Sequence, residues 1–288
     1  MLSTITSAYI ALWTLLVLSG HTALSQERII VYPQPESEQD QRTIYPVKLL
    51  NLALHKTGVP FRLQPSEERM PQGRALLMLT QDQIVHVVWS MTSIEREAEL
   101  LPIRIPIYKG LIGWRLLLIK AQDQDKFRHI QAVKDLQQLK VGQGHDWPDT
   151  AILRHNGFQV TGVANYESLF DMLQKGRIDF FPRSIVEIWA EAEAHQHQRL
   201  VVAPTLALQY PTAFYFFVNK QNAPLAQLIE DGLNQAIKDG SFNQLFDEYH
   251  QSLLQRAQLP SRQVFALDNP ILPQNTPLQR QELWYKRQ

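Results

Sequence analysis

Chemistry in this chain is concentrated first at "VVWSMTSIERE", residues 87–97, where an apolar run meets Ser90, Thr92 and Ser93 and then the pair Glu95–Arg96. Two readings compete. Thr92 with Glu95 three residues later has the spacing of a capping box, in which the two side chains satisfy free backbone N–H groups at a helix start. The same residues also suit an anion: Arg96 offers two parallel N–H donors to a carboxylate, with Ser90 and Thr92 as further donors. The readings coexist if Thr92 starts the helix while Ser90 and Arg96 face a ligand. A second concentration is "FFPRSIVE", residues 180–187, which holds Arg183, Ser184 and Glu187. A third is "GQGHDWPDT", residues 142–150, a glycine-rich loop carrying His145, Asp146 and Trp147 ahead of Pro148 and Asp149. It is either a plain helix start, with Pro and Asp in the first turn, or a cleft lip on which Trp147 stacks over a ligand ring.

Other candidates are weaker. Arg104 sits between Ile103 and Ile105, so strand alternation gives it an exposed position, and Tyr32 is a cleft candidate only by its place at a strand end. His195 and His197 are two apart on an expected helix, which splays them onto different faces and suits a solvated helix end better than a metal. No G-x-S-x-G, H-E-x-x-H, P-loop or dinucleotide fingerprint is present, so neither an enzyme nor a cofactor or metal is called for.

These residues need elements to position them. "RIIVY" (28–32), a helix over 45–58 with Leu49, Leu50, Leu52 and Leu54, "FRLQP" (61–65), a helix over 73–81 and a strand over 84–89 follow one another. That β-α-β-α-β order predicts a parallel sheet with helices on its faces. "PIRIP" (102–106) and the apolar strand "WRLLLIK" (114–120) lead to a second unit. It comprises strands at 139–142, 158–163 and 177–182, a helix from Thr150, and helices at 166–176 and 184–194. "LVVAP" (200–204) and "AFYFFVNK" (213–220) lead out to helices at 224–238 and 241–256. A tail with Pro260, Pro270, Pro273 and Pro277 follows, anchored by residues such as Phe265, Leu267 and Trp284. Two α/β units joined by two apolar strands predict a two-lobed clamshell: residues 26–117 as the first part of one lobe, 118–214 as the second lobe, and 215–288 returning to the first. Ligand would sit between the lobes.

Composition bounds the function. With 288 residues, 44% apolar and 19% charged, the chain is an ordinary globular protein with room for two lobes. Lys plus Arg equals Asp plus Glu at 28 each, so the basic footprint of a duplex nucleic-acid binder is missing. Absence of cysteine excludes thiol catalysis and disulfides. Residues 8–18, "AYIALWTLLVL", are followed by Ala23 and Ser25, which predicts a signal peptide over 1–25 and an exported protein without stable membrane insertion. The run is shorter than the roughly 20 residues of a membrane span.

The order and spacing of "VVWSMTSIERE…LLPIRIPIYKG" and "YESLFDMLQKGRIDFF" resemble the bacterial extracellular solute-binding proteins of family 3, with the type 2 periplasmic-binding fold. Ser90, Thr92, Glu95, Arg96, Pro106 and Tyr108 stand in matching positions, and the resemblance extends over nearly the whole mature chain. It implies a periplasmic protein, expected as a monomer, that captures an amino-acid-like or carboxylate solute and presents it to an inner-membrane ABC permease or a membrane sensor. It gives Arg96 the ligand carboxylate, with Ser90 and Thr92 as donors and Tyr108 and Trp147 as stacking walls. Five residues past Asp179, where amino-acid binders of the family carry an Asp for the ligand ammonium, this chain has Ser184 preceded by Arg183. Glu187, Asp146 or Asp149 would then supply the acid, or Arg183 would add a second anion contact. A few proteins of this fold are lyases, a role for which His145, Asp146 and Glu187 would be the acid and base groups.

Overall fold

The computed structural model describes residues 27–38 and 40–286; the expected signal peptide lies outside the described residues. The first sheet is laid down by β1 (Arg28–Tyr32), α1 (Ile44–Lys56), β2 (Phe61–Pro65), α2 (Gln72–Thr80), β3 (Val88–Met91), α3 (Ile94–Glu99) and β4 (Leu101–Ile103). β1 and β2 are parallel, with Arg28 opposite Phe61. The Val31 carbonyl accepts from the His86 and Val87 N–H groups, which ties β1 to the segment entering β3.

β5 (Trp114–Lys120) opens the second sheet. It is followed by α4 (Gln124–Arg128), α5 (Val133–Gln137), β6 (Lys140–Gly144), α6 (Pro148–His155), β7 (Gln159–Val163), α7 (Glu167–Gln174), β8 (Phe181–Ser184), α8 (Ile188–Ala194), β9 (Leu200–Val202) and β10 (Leu206–Gln209). β6 and β7 run parallel, and a Val141–Phe180 bridge joins β6 to the chain entering β8. β5 takes β8, β9 and β10 as antiparallel partners. Its residues 115–119 are fully buried, as an apolar strand covered on both faces should be. The lobe boundary expected near residue 118 falls inside this strand.

The chain returns through residues 210–213 into β11 (Phe214–Val218), which lies between β3 and β4 and is antiparallel to both. α9 (Ala223–Lys238) buries a stripe with a spacing of four, Leu225, Ile229 and Leu233, and is capped by Asn222, whose side chain accepts from the Leu225 N–H. It packs on α1, whose Leu49, Leu50, Ala53 and Leu54 face it and the first sheet. α10 (Ser241–Ala257) completes the first lobe's helices. Then β12 (Gln263–Ala266) crosses over and adds to β10 in the second sheet, within the stretch expected to belong to the first lobe. Arg262 fastens this crossing: its guanidinium donates to the carbonyls of Ala257, Ala203 and Leu206. The proline-rich tail runs back over the lobe junction. Asp268 is hydrogen-bonded to Asn156, the residue that follows α6, and the Ile271 carbonyl accepts from the Ile94 N–H of α3.

Candidate functional site

Arg96 occupies the third position of α3, and the backbone there is set by Ser93, whose hydroxyl accepts from the Arg96 N–H at 3.1 Å. The cap is therefore Ser93 and not Thr92. The Thr92 hydroxyl donates to Glu97 at 2.7 Å, and Glu97 pairs with Arg104 at 2.6 Å, so Thr92 turns away from Arg96 into a separate network. Its expected role beside the anion is not supported by this geometry, because β3 twists Ser90 and Thr92 onto different partners.

The Arg96 guanidinium lies where the lobes meet. It donates to the Ser90 hydroxyl, to the Met91 carbonyl at 2.9 Å, to Gln72 Oε1 at 3.3 Å and, from the second lobe, to the Asp146 carbonyl at 3.1 Å. All four acceptors are neutral. Burial accordingly pulls the guanidinium's pKa down to about 10, with Asp146 and Asp149 opposing at a distance; the group remains charged at neutral pH. Asp146 packs so tightly that a Cβ on Gly73 would stand 2.2 Å from its carboxylate, so α2 admits only glycine there without displacing it.

Beside this contact the lobes enclose a cleft of about 780 Å³ of empty space, walled by Trp89, Met91, Tyr108 and Phe214 on one side and Trp147, Asp149, Arg183 and Glu187 on the other. Gln72 belongs to this wall, and Ser90 and Arg96 lie directly behind it. Trp147 is held by near-parallel stacking on Phe181, with ring centres 6.3 Å apart, and by the Arg183 guanidinium 4.8 Å from its ring. Tyr108 packs edge-on against Phe214 and His250.

Arg183 lines the cleft but does not offer a free second anion contact. Glu191 receives it through both carboxylate oxygens, at 2.7–3.0 Å, and Glu187 adds a contact at 3.2 Å. Ser184 faces away from the cleft, donating to the Leu111 carbonyl at 3.1 Å, because β8 alternates and its neighbour Arg183 takes the inner face. Glu187 reaches Arg115 at 3.5 Å, while Arg115 bonds Asp149 at 2.7 Å and Tyr210 at 2.9 Å, and Tyr210 in turn donates to Asp149. On the first lobe's side Arg42 holds Asp40 and Glu36 at 2.8 and 3.0 Å. Five carboxylates thus face three guanidinium groups. Desolvation pushes the pKa of Glu36 and Glu187 up in spite of their arginine neighbours, whereas the arginines hold Asp40 and Glu191 down. Glu36 and Glu187 are therefore the carboxylates held least firmly as anions, in a group with two more carboxylates than guanidinium groups.

Arg42, Arg115, Tyr210, Gln72 and Glu36 are site residues that sequence reasoning missed. A charged side chain inside "WRLLLIK" is a signal for Arg115, since a buried strand carries an arginine only if something pairs with it. For Arg42, in a polar loop, there is none. His145 is half exposed and bonded to the Val163 carbonyl, away from the cleft, so the acid–base pair His145–Asp146 is not assembled there. His195 is not at a solvated helix end: its ring stacks on Phe170 at 3.6 Å and its nitrogens meet the Glu191 carbonyl and the Glu167 carboxylate. Among the described residues no His, Cys, Asp and Glu grouping suits a metal.

No protein-family model matches the chain, and no curated protein matches it in sequence. Solved structures do. An ancestral arginine-binding protein bound to arginine superposes with a TM-score of 0.59 at 17% identity, over 78% of this chain and 99% of that one. The fold is that of the periplasmic binding proteins. A putative ABC-transporter binding component from Wolinella succinogenes, complexed with lysine, gives a TM-score of 0.58 at 15% identity, covering 78% and 96%. A histidine kinase sensor domain with similarity to periplasmic binding proteins gives 0.57 at 15% identity, again covering 78% and 96%. The cleft between the lobes is walled by Tyr108, Trp147 and Glu187, with Arg96 behind the wall at Gln72. No helix among the described residues is long and apolar enough to cross a membrane.

Proposed function

We propose that this chain is a solute-binding protein that closes on a small zwitterionic or anionic molecule, with Arg96 receiving its carboxylate. One observation carries the reading. Of the four arginines gathered at the lobe junction, Arg42, Arg115 and Arg183 each hold a carboxylate, and Arg96 alone meets only neutral acceptors. A buried guanidinium gains most from an anion that replaces its two longest bonds, to Gln72 and the Asp146 carbonyl. Ser90 supports the head group, and the carboxylate surplus across the cleft suits a ligand ammonium, which favours a zwitterion over a dianion. Trp147 and Tyr108 supply the walls. Closure follows because only the closed state lets groups from both lobes touch the ligand.

We place the protein in the periplasm, delivering its solute to an ABC permease or to a membrane sensor, the two settings represented among the structures of the same fold. A thermal-shift screen of amino acids, dicarboxylates and small cyclic acids tests the reading. A true ligand at 100 times its Kd stabilises by about 2.7 kcal/mol. Arg96→Ala should remove that shift, and Arg96→Lys should recover only part of it, because an ammonium cannot make the bidentate contact. A folded protein that responds to none of these compounds, or a response that survives Arg96→Ala, would sink the proposal.

A further inference from the structure

The space between the lobes is partitioned by residues 33–38 and 40–43, which lie between β1 and α1 and line the cavities on either side. Ser37 donates to Glu167 of α7 at 3.0 Å, and the Arg42 guanidinium lies 4.1 Å from the centre of the Tyr166 ring. In front of this partition is the cleft described above. Behind it is a second cavity of about 960 Å³ of empty space, between α1 and α10 of the first lobe and α8 with the start of α7 of the second.

The walls of this rear chamber are aromatic and acidic. Tyr45, Tyr108, Tyr166, Trp189 and Tyr249 line it, together with Asp40, Glu167, Glu187 and Glu191. Arg42 is the one lysine or arginine among its described lining residues, and its charge is already engaged by Asp40 and Glu36. Tyr108, only 6% exposed, lines both chambers. Glu187 lines both chambers and belongs to a network with more carboxylates than guanidinium groups.

We infer that the rear chamber is a second binding site, separate from the Arg96 cleft, that takes an organic cation with an apolar or aromatic body. Ring faces attract a cation through their quadrupoles, and the attraction grows when the site is shielded from water. An ammonium entering here lies among Asp40, Glu167, Glu187 and Glu191, while the body of the ligand covers Trp189 and Tyr249. Anionic ligands are disfavoured by the same carboxylates.

The experiment is isothermal titration of the full chain with phenethylammonium, against 3-phenylpropionate and 2-phenylethanol as anionic and neutral controls. The expected result is saturable binding of the cation, with both controls at least tenfold weaker. Tyr249→Ala should weaken the cation at least tenfold. Nuclear Overhauser contacts from the probe's ring to Trp147, which lines the front cleft and not the rear chamber, would place the cation there and overturn the inference. So would equal binding of the neutral control, which reports an apolar void without charge selection, or no binding of the cation. Should Tyr249→Ala fail to fold, nuclear Overhauser contacts from the probe's ring to Tyr249 and Trp189 in the unmodified protein replace it, and their absence overturns the inference equally.

Discussion

His250 illustrates how burial alone sets the chemistry of a side chain. Its ring sits 4.4 Å from Tyr45 and 4.7 Å from Phe246, and one nitrogen bonds the Phe246 carbonyl. Desolvation holds its pKa down to about 4, against 6.5 for a free imidazole. Between those values the unfolded chain binds a proton that the folded one refuses, so the stabilisation from neutral His250 is complete above pH 6.5. It is lost as the pH falls toward 4, by up to about 3 kcal/mol. Urea unfolding at pH 7 and pH 4.5 should show this loss, and His250→Gln should show a smaller one; identical pH slopes would refute the account. At the same scale, Arg96 and Ser90 were legible because a strand end followed by hydroxyls and Glu-Arg is a dense local signal. Thr92 was misplaced, since which hydroxyl caps a helix depends on backbone angles that one-residue spacing does not encode. The Arg42 network was not legible: Asp40 and Glu36 lie in the same polar loop, where charged neighbours are ordinary, and only the contact with the Tyr166 ring, which tertiary packing supplies, sets it at the lobe junction.

At the level of elements, the contact between α1 and α9 sets two tendencies against each other. Gly232 lies in the interior of α9, where alanine would ordinarily gain about 1 kcal/mol of helix propensity. Here a Cβ would stand 1.9 Å from the Ala53 carbonyl oxygen, on backbone that cannot rotate away. Overpacking of that kind costs about 1–3 kcal/mol, so Gly232→Ala should lower the urea midpoint, with the slope unchanged. A stabilised variant would mean that the helices part without penalty. The helices themselves were readable from their apolar stripes: the spacing expected over 45–58 and 224–238 corresponds to α1 and α9. β8 lies a few residues beyond the strand expected at 177–182, because Asp179 and Phe180 bond the Lys140 carbonyl before the pairing with β5 begins. β12 gave no sequence signal. It is a four-residue edge strand in a proline-rich stretch, and its identity comes from β10 beside it.

For the whole molecule, the lobes are joined by more than the two expected crossovers. The Asn156 side chain makes two bonds to the Asp268 backbone, at 2.8 and 3.1 Å, and so ties the tail to the second lobe just before Ile271 ties it to the first. Each bond contributes about 1 kcal/mol, so Asn156→Ala should speed amide exchange over residues 263–271 by tenfold or more while leaving α9 protected. Unchanged exchange there would show that the tail is held by its apolar anchors alone. The two-lobed plan was legible from the alternation of strands and helices. The route of the tail was not, because nothing local distinguishes a strap that crosses from one that stays.

β11, the central partner of β3 and β4, arrives in the chain after the entire second sheet except β12, and β12 arrives after the first lobe's last helices. During synthesis each half therefore waits on residues that belong, in sequence, beyond the other half. The edges of β3 and β4 stay unpaired until residue 218 is available, and the outer edge of β10 until residue 266. Neither lobe is therefore complete before the last third of the sequence is available.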